Sequence, residues 1–221
     1  MLLYYITDRT QFAGDEKTRC RTLLDKIAEA TRWGVDFIQL REKDLPTSEL
    51  EALAWTAVRV VREQALPAGS REKRTRILIN SRVDVVIACG ADGVHLRSDD
   101  ISPGVVRDVW KRSAVDGEGE TRPPLIGVSC HTPSEIAEAR SQGADFAVFA
   151  PIFEKRGMPG ASSGGLDALR KACREKLPVL ALGGITLENA RSCLEAGAAG
   201  IAGIRLFQQG SIETVVTRLR P

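Results

Sequence analysis

Eight short apolar segments recur along the chain, and longer stretches whose apolar residues have helical spacing lie between them. These segments predict strands at 2–7, 36–41, 76–80, 93–96, 125–130, 146–150, 178–183 and 200–204. Several are almost continuously apolar, as from Val179 to Leu182, which is typical of parallel strands buried on both faces. Because eight strand–helix units fill 221 residues with little to spare, this α/β pattern favours a single-domain (β/α)8 TIM barrel over residues 1–221 rather than an open doubly wound sheet.

Helix signals agree with this alternation and predict helices at 21–33, 48–63, 134–142, 166–175, 187–196 and 212–219. Threonines suited to N-caps and glycines suited to helix C-termini flank them: Thr47, Thr132, Thr186, Gly34, Gly143 and Gly197. Two polar connections, 67–75 and 113–124, are expected at the N-terminal face of the barrel, away from chemistry. The segment 154–165, rich in Gly, Ser and Pro, follows a strand and is expected to form a mobile lid at the catalytic face.

Composition narrows the class of partner. The formal net charge of +2 is nearly balanced, so charge gives no reason to expect nucleic acid binding. The five cysteines are widely spaced and form no Cys-x-x-Cys pair, which argues against a disulfide framework or zinc site and favours reduced thiols in the cytoplasm. No apolar run approaches the roughly 18 residues of a membrane span. We therefore expect a cytoplasmic protein that binds neither nucleic acid nor membrane.

Polar residues collect where the predicted strands end, which in a barrel is the catalytic face. Gln39, Arg41 and Lys43 alternate along the second strand, so while the strand continues they point to the same side. Two cations and an amide facing one spot suit a diphosphate. The alternative is an ion pair of Arg41 or Lys43 with a carboxylate such as Asp8, but an apolar strand rarely ends in two inward cations for packing alone.

Further candidates follow later strands. Gly183 and Gly184 precede Thr186 and are expected to open a helix whose free N–H groups bind phosphate, or to form a plain tight turn. Asp99 and Asp100 could hold Mg²⁺ or cap a short helix. Two histidines occur. His95 lies inside an apolar strand and is expected to be structural, whereas His131 lies at a strand end and suits acid–base chemistry.

Taken together, these motifs resemble those of the thiamine phosphate synthase family and its relatives, the thiazole tautomerases. The matching segments are YYITD at 4–8, QLREK at 39–43, INSRVD at 79–84, DGVHL at 92–96, IGVSCHT at 126–132, PIF at 151–153 and LGGI at 182–185. The resemblance covers nearly the whole chain. It implies a transferase of thiamine biosynthesis that joins hydroxymethylpyrimidine diphosphate to a thiazole phosphate with Mg²⁺ and releases diphosphate. It also suggests a homodimer.

The same resemblance implies roles for individual residues. The diphosphate would be held by Gln39, Arg41, Lys43, Asn80 and Ser129. The thiazole phosphate would be held by Gly183, Gly184 and Gly203, and Lys155 and Arg205, which lie where this chain departs from the family pattern, are candidate cations for the same phosphate. Mg²⁺ would be bound by Asp100 and, more weakly, by Ser81. The residues expected to take part in catalysis are Arg41, Lys43, Ser129 and His131.

The chain departs from the synthase pattern at several of these positions. Ser81 stands where the family has a second metal aspartate, Arg205 replaces a serine, and the motifs after residues 96 and 153 differ. Two alternatives therefore stay open: a thiazole tautomerase that uses His131 as base, and a phosphate-binding relative without activity. Because Gln39, Arg41 and Lys43 are all kept, the synthase interpretation is favoured over both.

Overall fold

The computed structural model describes residues 1–64, 74–115, 122–153 and 165–220, without the side chains of residues 114 and 115. Eight parallel strands close into a barrel in chain order. They are β1 (Leu2–Ile6), β2 (Phe37–Leu40), β3 (Arg76–Asn80), β4 (Gly93–Leu96), β5 (Leu125–Cys130), β6 (Phe146–Phe149), β7 (Val179–Ala181) and β8 (Gly200–Gly203). The predicted (β/α)8 barrel is therefore confirmed.

Helices separate the strands and surround the barrel. They are α1 (Glu16–Arg32), α2 (Thr47–Glu63), α3 (Val83–Cys89), α4 (Pro103–Val115), α5 (Pro133–Ser141), α6 (Gly165–Ala172), α7 (Ala190–Glu195), α8 (Arg205–Gln208) and α9 (Ile212–Leu219). Single 3₁₀ turns lie at Arg9–Gln11 and Cys173–Glu175. None of the described helices is long and apolar enough to cross a membrane.

The two-residue alternation of each strand divides the buried residues into two sets. One set fills the barrel interior: Tyr4, Ile6, Phe37, Leu78, Leu125, Phe146, Val148, Leu180 and Ala202. The larger set lies between the strands and the helices and includes Leu3, Tyr5, Ile38 and Leu40. Gln39, Asn80, His95 and Ser129 have the parity of the interior set. The pleat thus directs these polar side chains to the inside of the barrel, near its C-terminal end.

Three local predictions needed correction. Thr186 does not cap a helix, because the Asn189 side chain accepts from the Thr186 amide (2.8 Å) and α7 begins only at Ala190. Thr47 lies inside α2, with Pro46 at the N-cap position. Strand β7 ends at Ala181 rather than at 183, since Gly183 turns away with φ +101°.

Other predicted boundaries are confirmed or lie outside the described residues. Thr132 caps α5 by accepting from the Glu135 amide. Gly34, Gly143 and Gly197 all have positive φ directly after helices. The predicted connections at 67–75 and 113–124 are only partly described. The predicted lid at 154–165, with Lys155, lies outside the described residues except for its last member.

Candidate active site

The candidate site lies where the strands end at the C-terminal face of the barrel. Every described residue that the sequence assigned to it lies in the C-terminal part of a strand or in the connection that follows. Within the strands are Gln39, Asn80, Ser129 and Gly203, and after them are Arg41, Lys43, Ser81, Asp100, His131, Gly183, Gly184 and Arg205. Because all eight strands are parallel, these positions share one face of the barrel.

Three cations share one part of this face. Strand β2 ends at Leu40 rather than at 41, so Arg41 directly follows it and Lys43 lies in the next turn. The pKa of Lys43 is lowered, first by the Arg41 cation, then by partial burial and by the Arg97 cation, against an opposing effect of Asp99. Like charges held this close together favour the binding of an anion between them.

Asp8, the carboxylate considered as an alternative partner for these cations, forms hydrogen bonds with other residues. Asp8 accepts hydrogen bonds from the Thr10 hydroxyl (2.6 Å) and the Gln11 amide (2.8 Å). Across residues 1–64, 74–115, 122–153 and 165–220, neither Arg41 nor Lys43 has a carboxylate within 4.0 Å. The ion-pair interpretation is therefore wrong for the described part of the chain, and the positive charge remains available to a ligand.

Between the two site cations, Glu42 has the opposite orientation and is 4% exposed. It accepts from the Thr7 hydroxyl (2.5 Å) and from the Arg9 amide (2.9 Å), and Arg9 also pairs with Asp44 at 2.7 Å. Burial raises the pKa of Glu42, and the contacts with Thr7 and Arg9 oppose that rise. This cluster was not predicted from the sequence, although the alternation of Arg41, Glu42 and Lys43 could have indicated it.

Asn80 begins a chain of polar contacts across the mouth of the barrel. Its side-chain oxygen lies 3.5 Å from Gln39 Nε2, and its amide donates to Ser81 Oγ at 3.0 Å. The Ser81 hydroxyl donates in turn to Asp100 Oδ2 at 2.6 Å. Ser81 has φ +61°, a left-handed conformation that Asn and Asp adopt more readily than most residues. This backbone is held by the Ser81 amide, which donates to the His95 carbonyl at 2.9 Å.

Asp100 does not cap a helix, because α4 begins at Pro103 and the Ser102 hydroxyl accepts from the Val105 amide. Its Oδ2 accepts from the Arg97 amide (2.7 Å) and from Ser81. No cluster of three or more His, Cys, Asp or Glu able to hold a metal occurs among the described residues. Mg²⁺ requires only one or two carboxylates when phosphate and water supply the other oxygens. Asp100 and Ser81 therefore fit Mg²⁺ as a partial ligand set that a bound diphosphate would complete.

His95 lies inside the apolar strand β4, as expected of a structural residue, and it also contacts a side chain of the candidate site. It is buried on the inward face of β4, and its Nε2 lies 2.9 Å from Ser129 Oγ. Burial, together with the Arg41 cation, lowers its pKa to about 3. The imidazole is therefore neutral at physiological pH and directly contacts a predicted site residue. The inward parity of His95 in the sequence was the signal that could have found it.

His131 is exposed at the end of β5. Its Nδ1 lies 2.7 Å from the Ala150 carbonyl, and its backbone amide donates to Glu135 at 2.7 Å. Because a carbonyl oxygen can only accept, Nδ1 carries the proton in this contact and Nε2 is left as the basic nitrogen. The neighbouring Cys130 is buried, and burial raises its pKa to about 12, so it is protonated and unsuited to nucleophilic attack.

The turn after β7 presents backbone groups to the same face. Gly183 and Gly184 both have positive φ, and a Cβ added to Gly183 would lie 2.9 Å from Pro151 Cα. No hydrogen bond from the amides of Gly183, Gly184 or Ile185 forms within the described ranges. The Gly184 carbonyl accepts from Asn189 at 3.0 Å. Although no helix opens here, the turn offers N–H groups in the arrangement that binds anions.

Strand β8 ends beside this turn. Gly203 is buried, and a Cβ added there would lie 3.1 Å from Leu206 Cβ. Arg205 follows as the exposed first residue of α8, and no ion pair of its side chain forms with the rest of the described chain. Since β7 and β8 are neighbours, Arg205 adds a cation to this side of the face.

Comparison with known proteins shows the family to which the chain belongs. The family model described as thiamine monophosphate synthase matches residues 3–207. A putative thiamine-phosphate synthase of Geobacter sulfurreducens is 41% identical over 90% of this chain and 83% of its own. A thiamine-phosphate synthase of Syntrophomonas wolfei is 34% identical over 99% of this chain and 94% of its own.

Solved structures show the same similarity. A thiamine phosphate pyrophosphorylase from Pyrococcus furiosus superimposes with a TM-score of 0.77 and 29% identity, covering 99% of this chain and 93% of that one. A 3-hexulose-6-phosphate synthase superimposes with a TM-score of 0.67 at 16% identity, covering 100% and 98%, and at that identity the similarity concerns the fold alone.

Proposed function

Because the chain belongs to the thiamine monophosphate synthase family, we propose that it condenses hydroxymethylpyrimidine diphosphate with a thiazole phosphate to give thiamine phosphate and diphosphate. The observation that carries this proposal is the group of cations around Arg41. Arg41 and Lys43 lie together without a carboxylate partner among the described residues, beside the inward side chains of Gln39, Asn80 and Ser129. A tautomerase that releases no diphosphate has less need of this charge, and the named relatives are synthases.

In this proposal Arg41 and Lys43 bind the diphosphate and neutralise the charge that develops on it as the bond to the pyrimidine carbon breaks. Electrostatic stabilisation of developing charge commonly lowers the barrier of such reactions more than any other single effect. Gln39, Asn80 and Ser129 add neutral hydrogen bonds that fix the orientation of the diphosphate. No covalent nucleophile is required, which agrees with the buried, protonated Cys130. The thiazole nitrogen then traps the pyrimidine cation.

The metal in this proposal is Mg²⁺, with Asp100 as its carboxylate ligand and Ser81 as a neutral or water-mediated ligand. When bound, it would withdraw charge from the diphosphate oxygens. The Ser81–Asp100 contact of 2.6 Å keeps both oxygens on one side of the mouth. On the opposite side, the free amides of the Gly183–Gly184 turn, Gly203 and the Arg205 cation would hold the thiazole phosphate. Lys155, which lies outside the described residues, is proposed from the sequence alone as a further cation.

The direct test is to incubate the purified protein with both substrates and Mg²⁺ and to measure diphosphate release and thiamine phosphate formation. We expect both products in equal amounts, and release that depends on the thiazole phosphate. Isomerisation of a thiazole carboxylate phosphate without diphosphate release would contradict the proposal. Binding of thiazole phosphate without turnover would contradict it as well.

Replacing His131 with glutamine separates this proposal from one in which His131 is an essential base. We expect diphosphate release to stay within about tenfold of the wild type, the effect of one lost hydrogen bond. Loss of a general base would cost about 100-fold or more. Steady-state kinetics of the variant at saturating Mg²⁺ measures the difference, and a loss of the larger size would give His131 a chemical role.

Replacing Ser81 with aspartate should restore a second metal carboxylate. Since Asp tolerates the left-handed conformation of this position and the side chain faces Asp100, we expect the Mg²⁺ concentration for half-maximal activity to fall at least about tenfold. The matched control is Ser81→Asn, which has the same shape without the charge. Equal Mg²⁺ requirements in the two variants would show that Ser81 is not at the metal.

The proposal also covers the oligomeric state and the cellular compartment of the protein. We place the protein in the cytoplasm as a homodimer that uses small-molecule substrates and neither nucleic acid nor membrane. The five free cysteines agree with a reducing compartment. Sedimentation equilibrium at micromolar concentration tests the dimer, for which a monomer mass would be the contrary result.

A further inference from the structure

A buried chain of hydrogen bonds runs from the barrel interior to the candidate site. Tyr4 and His95 are both almost fully buried, and the Tyr4 hydroxyl lies 3.2 Å from His95 Nδ1. On the other side of the ring, His95 Nε2 lies 2.9 Å from Ser129 Oγ. Only Ser129 is part of the face where substrate would bind, so the two inner groups can reach a substrate only through it.

The direction of these hydrogen bonds follows from which groups of Tyr4, His95 and Ser129 can donate a proton. A buried tyrosine hydroxyl usually donates its proton to an acceptor, and His95 Nδ1 is the one hydrogen-bond partner of the Tyr4 hydroxyl found among the described residues. If Tyr4 donates to Nδ1, the neutral ring carries its proton on Nε2. Nε2 then donates to Ser129 Oγ, and the Ser129 hydroxyl proton is left to point toward the site.

The opposite direction would give the site a different property. With the proton on Nδ1, Nε2 would accept from the Ser129 hydroxyl, and Ser129 could then only accept from a ligand. A diphosphate oxygen is an acceptor, so it would meet lone pairs instead of a proton. The tautomer of His95 therefore decides whether Ser129 attracts or repels an anion.

Packing keeps the ring in place for this role. The Tyr4 and Phe146 rings lie 5.7 and 6.2 Å from the imidazole centroid, and Gly127 leaves the space that His95 needs, since a Cβ there would lie 2.9 Å from Nδ1. Burial, helped by the Arg41 cation, lowers the pKa of His95 to about 3. The ring is thus neutral at pH 7, so it carries a single proton, on either Nδ1 or Nε2.

We propose that Tyr4 and His95 are positioning residues that fix the Ser129 hydroxyl as a hydrogen-bond donor to the diphosphate. This inference rests on the proposed function for the identity of the anion. The orientation of the chain itself rests on the contacts of Tyr4, His95 and Ser129 alone. The two parts can therefore be tested separately.

The tautomer is tested by nitrogen NMR of protein labelled with ¹⁵N-histidine. The chain has two histidines, so in the His131→Gln variant all histidine signals come from His95. We expect one bound proton on Nε2 and a bare Nδ1 at pH 7, with Tyr4→Phe shifting the population toward the Nδ1–H form. A proton on Nδ1 in the Tyr4-containing protein would overturn the inference.

The effect on the ligand is tested by a double-mutant cycle between Tyr4→Phe and Ser129→Ala. We expect each single change to weaken binding of inorganic diphosphate with Mg²⁺, by calorimetry, and to lower kcat, by about 3- to 10-fold. The double variant should lose no more than Ser129→Ala alone, because Tyr4 acts through Ser129. Additive losses would mean that Tyr4 acts independently of Ser129, and would overturn the inference.

The matched control is Tyr5→Phe. Tyr5 is equally buried, but it faces the helices and its hydroxyl has no hydrogen-bond partner among the described residues, so we expect unchanged diphosphate binding and kcat. If the wild type released no diphosphate from the two substrates, the proposed function would fail. The NMR measurement and the diphosphate binding cycle would still test whether Tyr4 and His95 orient the Ser129 hydroxyl, because neither requires turnover.

Discussion

Replacing Arg41 with alanine is expected to lower kcat/KM for diphosphate release by about 100- to 1000-fold, as removal of one preorganised charge-stabilising group commonly does. Arg41 lies close enough to both Lys43 and His95 to lower the pKa of each, which places it centrally at the mouth of the barrel. The Arg41 cation is the largest cause of the lowered Lys43 pKa, so in the variant that pKa rises. Lys43 keeps its charge, and the loss reports on Arg41 itself.

Arg59→Ala serves as the control for this prediction. Arg59 is on α2, its side chain is 70% exposed, and it lies 3.8 Å from Glu63, so its removal should leave kcat/KM unchanged. Continuous detection of released diphosphate measures both variants. Loss of less than about fivefold in Arg41→Ala, smaller than a hydrogen bond to a charged group contributes, would place the diphosphate elsewhere.

Replacing Gly93 with alanine is expected to destabilise the fold by about 3 kcal/mol or more. A Cβ at this position of β4 would lie 1.9 Å from the Leu125 carbonyl oxygen and 2.8 Å from the Leu125 amide nitrogen. Gly93 and Leu125 are paired in the barrel, so relief of this overlap requires two strands to separate. Urea denaturation followed by circular dichroism measures the loss, and insoluble expression would be its extreme form.

Gly34→Ala is the control that measures the cost of a left-handed backbone conformation without any steric overlap of the added Cβ. Gly34 has φ +70° and no atom within 4 Å of an added Cβ, so only the left-handed conformation is penalised, by about 1 kcal/mol. We expect Gly93→Ala to lose clearly more stability than Gly34→Ala. Equal losses would show that β4 and β5 can move apart to accommodate the added methyl group.

The sequence was sufficient for the fold because the barrel depends on local patterns. The strands β3 (Arg76–Asn80), β4 (Gly93–Leu96) and β5 (Leu125–Cys130) have the predicted limits, since a parallel strand buried on both faces is a continuous apolar run. The face of the site was predictable for the same reason. Strand ends in a closed parallel barrel lie together whichever strands carry them.

Contacts between distant side chains could not be predicted in this way. The pairing of Arg9 with Glu42, and of Ser81 with Asp100, depends on which rotamer each side chain adopts after the barrel has closed. His95 illustrates the limit best. Its inward orientation could be predicted from the parity of the strand, whereas its contact with Ser129 also depends on the register of β4 against β5, which no local pattern specifies.

Local competition between side chains explains the misplaced start of α7. Thr186 is a good N-cap by residue type, but the Asn189 side chain binds both the Thr186 amide and the Gly184 carbonyl. These two hydrogen bonds stabilise a turn where a helix was expected. The amides of Gly183 and Gly184 consequently stay outside any helix.

The pairing of β1 with β8 bears on how the protein is made. Leu2 pairs with Gly200, so the first strand waits for a partner that is synthesised roughly 200 residues later, about 10 to 40 s at ordinary rates of translation. During that interval the nascent chain has an unpaired edge bearing Leu3 and Tyr5, which are fully buried once the barrel closes. Exposed apolar edges promote aggregation. The yield of folded protein in the cell is therefore expected to depend on the time between the emergence of these two strands from the ribosome.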